Sequence, residues 1–189
     1  NINNIQSTVN GIKSQLLTTD KDKVEVGSGG SVINGDLLTL NDNDTVTGGA
    51  GVDILNIVSN NTNKTVGTPN ISGIETLNFT VVNDFTLDMK NVKDANTFNT
   101  KNSSGAITLI NIADAKMELG LSGSLINTIT ANYKALTSTD ADKLKINLDG
   151  ATDATVNILL DPDPTKSVTA TNANSFEYAE ISVISASTL

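Results

Sequence analysis

Two consecutive nine-residue blocks hold the side chains best suited to chemistry: Thr39-Leu40-Asn41-Asp42-Asn43-Asp44-Thr45-Val46-Thr47 and Gly48-Gly49-Ala50-Gly51-Val52-Asp53-Ile54-Leu55-Asn56. The second fits the pattern G-G-x-G-x-D-x-U-x, with U a large apolar residue, and the first is a degenerate copy in which polar turn residues replace glycine. Glycines let a turn take positive φ and aim its carbonyls inward, and the Asp adds a carboxylate to the same oxygen cage. Such a cage suits Ca²⁺, which accepts six to eight oxygens in loose geometry. Without a cation the carboxylates of Asp42, Asp44 and Asp53 would repel one another, so ion binding and folding of this segment would be coupled. The acidic positions Asp149, Asp153, Asp161 and Asp163 read as solvated loops.

Composition leaves little other chemistry open. The sequence contains no His, no Cys and no Arg. That removes the commonest general base, the thiolate nucleophile, the softer metal ligands and the bidentate phosphate clamp. With 12 Lys against 21 acidic residues, a net charge of −9 and a pI near 4.3, nucleic acid is not an expected partner. Paired carboxylates can hydrolyse glycans, but the four Phe and two Tyr are scattered and form no sugar-stacking cluster. No enzyme is expected. No apolar run is long enough to span a bilayer, and the opening Asn1-Ile2-Asn3-Asn4 reads as the start of an excised fragment.

The elements that would position the blocks follow from hydrophobic spacing. Ile2, Ile5, Val9, Ile12 and Leu16 recur every three or four residues and predict an amphipathic helix over 1–18. Residues 19–35, polar and containing Gly27-Ser28-Gly29-Gly30, read as a connector. From 36 to 189 the chain is a train of short clusters that alternate apolar residues with Thr, Ser or Asn, the period of a strand with one face inward. Centres at Leu77, Leu87, Phe98, Leu109, Leu119 and Thr128 are 9 to 11 residues apart, which favours repetitive β architecture. A parallel β-solenoid with two strands and about 20 residues per coil fits, and a β-sandwich is the alternative. An aromatic content of 3% suits stacked Leu, Ile, Val, Thr and Asn better than a thick sandwich core. In a solenoid, Asn residues can stack through amide hydrogen bonds. Asp161-Pro162-Asp163-Pro164 reads as an exposed turn.

The nonapeptide, together with Asn70-Ile71-Ser72-Gly73-Ile74-Glu75-Thr76-Leu77-Asn78-Phe79-Thr80, resembles the RTX family, and more narrowly RTX-like bacterial S-layer and type I-secreted surface proteins. The resemblance covers residues 39–80, with RTX-like repeats at 39–56. It implies an extracellular protein on the bacterial cell surface that folds on meeting Ca²⁺ and self-associates into a two-dimensional lattice, often held by lipopolysaccharide or a surface glycan. The ligands it implies are the carboxylates of Asp44 and Asp53 and the turn carbonyls around Asn41, Asn43, Gly49 and Gly51. In the family's geometry one ion is shared by turns two blocks apart. Here those positions hold Gly35 and Ile71 for Asp53, and Val26 and Thr62 for Asp44, so the partner half-sites depart from the pattern. A repeat module of a secreted adhesin would carry the same features.

Overall fold

The computed structural model describes residues 7–9, 12–59, 66–113, 116–123, 128–134, 143–151, 154–161 and 178–183. The strands are β1 (Ser7–Val9), β2 (Ile12–Leu16), β3 (Lys23–Glu25), β4 (Ser31–Asp36), β5 (Thr45–Thr47), β6 (Ile54–Val58), β7 (Val66–Gly67), β8 (Asn70–Ser72) and β9 (Thr76–Thr80). They continue with β10 (Phe85–Asp88), β11 (Thr97–Lys101), β12 (Ile107–Ile112), β13 (Glu118–Ser122), β14 (Thr128–Lys134), β15 (Lys143–Asp149), β16 (Thr155–Asp161) and β17 (Tyr178–Val183).

These strands wind into a parallel β-solenoid. A long sheet runs β1-β2-β4-β6-β9-β11-β13-β15-β17, a second runs β7-β10-β12-β14-β16, and a third, short sheet stacks β3-β5-β8. Every pairing is parallel except β1 with β2, which excludes the antiparallel sandwich. Along the long sheet Ile33, Leu55, Leu77, Phe98, Leu119 and Ile146 stand in one column. The coils therefore advance by 22, 22, 21, 21 and 27 residues.

Alternation explains why these sequences form rungs. In β6 and β9, Leu55, Ile57, Leu77 and Phe79 are buried while Asn56 and Asn78 face outward. Each fully buried Leu, Ile or Phe contributes roughly 1.5–3 kcal/mol of apolar burial. Phe79 stacks on Phe85 and Phe98 with centroids 6.0 and 5.2 Å apart. The interior polar pair is satisfied: Thr100 Oγ1 donates to Ser103 Oγ at 2.6 Å, and Ser103 Oγ accepts from the Val81 N–H at 2.9 Å. A 3₁₀ turn, Met89–Asn91, is capped by Asp88. Burial would raise the Asp88 carboxyl, but hydrogen bonds from Asn111 and Lys90 and the Lys90 charge outweigh it and hold it below its ordinary value.

The helix expected over 1–18 is replaced, in the described part of that segment, by β1 and β2. Lys13 to Leu16 pair with Ser31 to Asn34 in a parallel ladder, and the Leu17 N–H donates to Asn34 O at 2.8 Å. Inter-coil hydrogen bonding overrides the local three-four period, leaving Leu16 exposed and Leu17 buried. The stretch read as a connector is also built into the coil, since it contains β3 and most of β4. In the train itself, Leu77, Phe98 and Leu119 lie on the long sheet and Leu87 and Leu109 on the second, so the ten-residue spacing is the alternation between two faces. Upstream, the third sheet adds a face. The turn at Pro162–Pro164 lies outside the described residues.

Candidate metal centre

The two nonapeptide blocks form two different corners of one coil, flanking the three-residue strand β5. At the first corner Asp44 is wholly buried. Its Oδ1 accepts from the Asp22 N–H at 2.8 Å and its Oδ2 from the Asn41 N–H at 2.7 Å. Asp22, one coil earlier, does the same for Thr18, accepting from its N–H at 2.6 Å and its hydroxyl at 2.8 Å. The Asn41 amide reaches back to the carbonyls of Thr19 and Asp20 at 3.2 and 3.3 Å. Asn43 is exposed. Corners fall out of ladder register, so their N–H groups need side-chain acceptors, and these acids supply them.

At the second corner, residues 26–30 and 48–52 are loops of equal length stacked one coil apart. They are close: the Gly29 N–H donates to Ala50 O at 2.7 Å, and a Cβ on Gly49 would fall 2.2 Å from Gly27 O. The position three residues before each long-sheet rung is left-handed on four successive coils, with φ of 136° at Gly29, 113° at Gly51, 63° at Gly73 and 68° at Asp94. The glycine knot at 27–30 is thus the same kind of corner as the G-G-x-G block, one coil earlier.

The following corner, Gly73 to Glu75, has three residues where 48–53 has six, which makes a step in the stack. Asp53 and Glu75 meet at this step. Asp53, 0% exposed, accepts from the Gly49 N–H through Oδ2 at 2.8 Å, and its own N–H donates to Glu75 Oε2 at 2.7 Å. Asp53 Oδ1 is buried with no hydrogen-bond partner among the described residues. The protein-family models, the curated proteins and the solved structures were all compared with the chain, and none matches.

The expected ligands are therefore divided. Gly49, Gly51 and Asp53 share one corner, and Asn41, Asn43 and Asp44 the other. Among the described residues no group of three or more acidic side chains converges. The Asp53 corner still fits a hard cation, because a buried carboxylate oxygen without a partner costs several kcal/mol unless a charge compensates it. Sequence reasoning missed Glu75 as part of this corner. Its signal was the spacing of 22 residues from Asp53, which carries meaning only when the coil length is known.

Proposed function

We propose that the chain is a calcium-dependent, non-catalytic structural module of a secreted bacterial surface-layer protein, extracellular and self-associating into a lattice at the cell surface. The observation that carries the reading is the buried, half-satisfied Asp53 carboxylate inside a glycine corner of the stack. Bound Ca²⁺ would supply positive charge and a demand for oxygen ligands. At the second corner Asp53 and the Gly49 and Gly51 carbonyls would hold it; at the first, both Asp44 oxygens already accept backbone N–H groups, from Asp22 and Asn41. The chain's own part is to hold the corner closed. Gly49 donates to Asp53, Asp53 donates to Glu75, and the corners below and above are thereby tied to the rungs they precede. At the low Ca²⁺ of a cell interior the half-satisfied Asp53 carboxylate would loosen this segment, and export to millimolar Ca²⁺ would stabilise it.

At a hundredfold excess over Kd a single ion adds about 2.7 kcal/mol. At about 2–4 °C per kcal/mol for a domain of this size, the expected rise in Tm is about 5–11 °C. Asp53→Asn should remove most of that rise in calorimetry. Calcium-loaded protein should form ordered sheets by electron microscopy, whereas an undiminished rise in the variant, or particles that never associate, contradicts the reading.

A second reading, a secreted adhesin, is favoured by one feature. The outer face of the long sheet holds an open groove of about 650 Å³, apolar over much of its lining through Val58 and Leu121, along which Asn56, Asn78, Asn99 and Asn147 stand. Its regularly spaced amides suit the hydroxyls of a surface glycan or lipopolysaccharide. Saturable binding of such a polysaccharide by a calcium-loaded monomer that forms no sheets would favour the adhesin.

A further inference from the structure

We infer that Glu75 is the second anionic ligand of the divalent-cation site at Asp53, so that the ion bridges two successive coils instead of sitting within one corner. The inference rests on the calcium reading above and adds a residue outside the nonapeptide.

The step between the long corner, 48–53, and the short one that follows it, 73–75, sets Asp53 and Glu75 at equivalent places, each directly before its rung on adjacent coils. Glu75 Oε2 touches the Asp53 backbone N–H, which fixes the glutamate head beside the aspartate. Among the described residues Glu75 Oε1 accepts no hydrogen bond and neither acid forms an ion pair. Asp53 Oδ1 is wholly buried and, among the described residues, without a partner. Two acids set at the same corner of adjacent coils gain from a shared positive charge, and among the described residues no Lys pairs with either. The oxygens still available, Asp53 Oδ1 and Glu75 Oε1, belong to different coils. A cation held by both would close the step and lock one coil onto the next. Asp44 differs in kind, because both of its oxygens already accept backbone N–H groups. The corner carbonyls and solvent would complete a flexible coordination shell, which suits Ca²⁺ better than the stricter, smaller shell of Mg²⁺.

The test uses the full chain and Ca²⁺ alone, by titration calorimetry and thermal unfolding of wild type, Glu75→Gln, Glu75→Asp and Asp53→Asn. Gln keeps an oxygen for the Asp53 N–H and removes only the charge. The expected result is at least a tenfold weaker Ca²⁺ affinity for Glu75→Gln, with a metal-free Tm equal to or above wild type because a repulsion is gone. Glu75→Asp keeps the charge on a shorter arm and should fall between the two; it decides the matter if the Gln variant does not fold. Excess Mg²⁺ should compete poorly. If Asp53→Asn loses the site while both Glu75 variants bind as wild type does, the inference fails and the proposed function stands. A wild-type chain that takes up no Ca²⁺ overturns both.

Discussion

Asn78 donates to Asn56 Oδ1 at 2.9 Å and its own Oδ1 accepts from Asn99 at 2.9 Å, while Asn56 in turn donates to Asn34 at 3.1 Å and Asn34 to the Ser14 hydroxyl at 3.2 Å. The ladder stops at Gly120, where an added Cβ would come 2.0 Å from Asn99 Oδ1. Each amide bond adds about 0.5–1.5 kcal/mol net. Asn78→Ala, which breaks two of them, should therefore cost about 1–3 kcal/mol, and Asn99→Ala, which breaks one, about half as much. Urea denaturation with an unchanged m-value measures both; equal losses would mean that the amides do not act as a chain. Stacking of Asn was legible in the sequence, because alternation with Leu and Ile puts the Asn residues on one face. The bonding of Asp44 was not. Its acceptor role for Asp22 depends on a partner 22 residues away, and nothing local marks that pairing.

At the scale of elements, the ten-residue beat of apolar clusters gave the alternation of two sheets, but it could not show the third sheet, whose strands are only three residues long. The amphipathic spacing of the first segment misled for a related reason. A parallel neighbour satisfies the backbone of Ile12–Leu16, and this outweighs a local period that an isolated chain would follow. Glycine was read as a corner signal in the nonapeptide but as a connector at 27–30, although the two are stacked copies. The corners make a graded prediction. Gly73→Ala places a side chain at φ 63° with its nearest contact at 3.2 Å, so it should cost about the left-handed penalty of 1–2 kcal/mol. Gly51→Ala adds a Cβ 2.5 Å from the Gly30 N at φ 113° and must also force two backbones apart, so it should cost clearly more. Denaturation midpoints of the two variants decide this, and the reverse order would refute the stacked-corner geometry.

As a whole molecule, the protein is a stack in which each coil is stabilised by its neighbours, carrying a net charge of −9 and no Arg or His to offset buried acids. The apolar columns account for the rungs and the Asn ladder for one outer face. At Asp53 a buried carboxylate oxygen is left without a partner among the described residues, and calcium there would join local folding to the integrity of the stack. The most direct measurement is amide hydrogen exchange, resolved by residue, with Ca²⁺ and with chelator. The account predicts that Ca²⁺ slows exchange most at Gly49 and Asp53, whose N–H groups meet the Asp53 and Glu75 carboxylates, with smaller gains in the adjoining rungs. Exchange at those two amides that is the same with and without Ca²⁺ would contradict it.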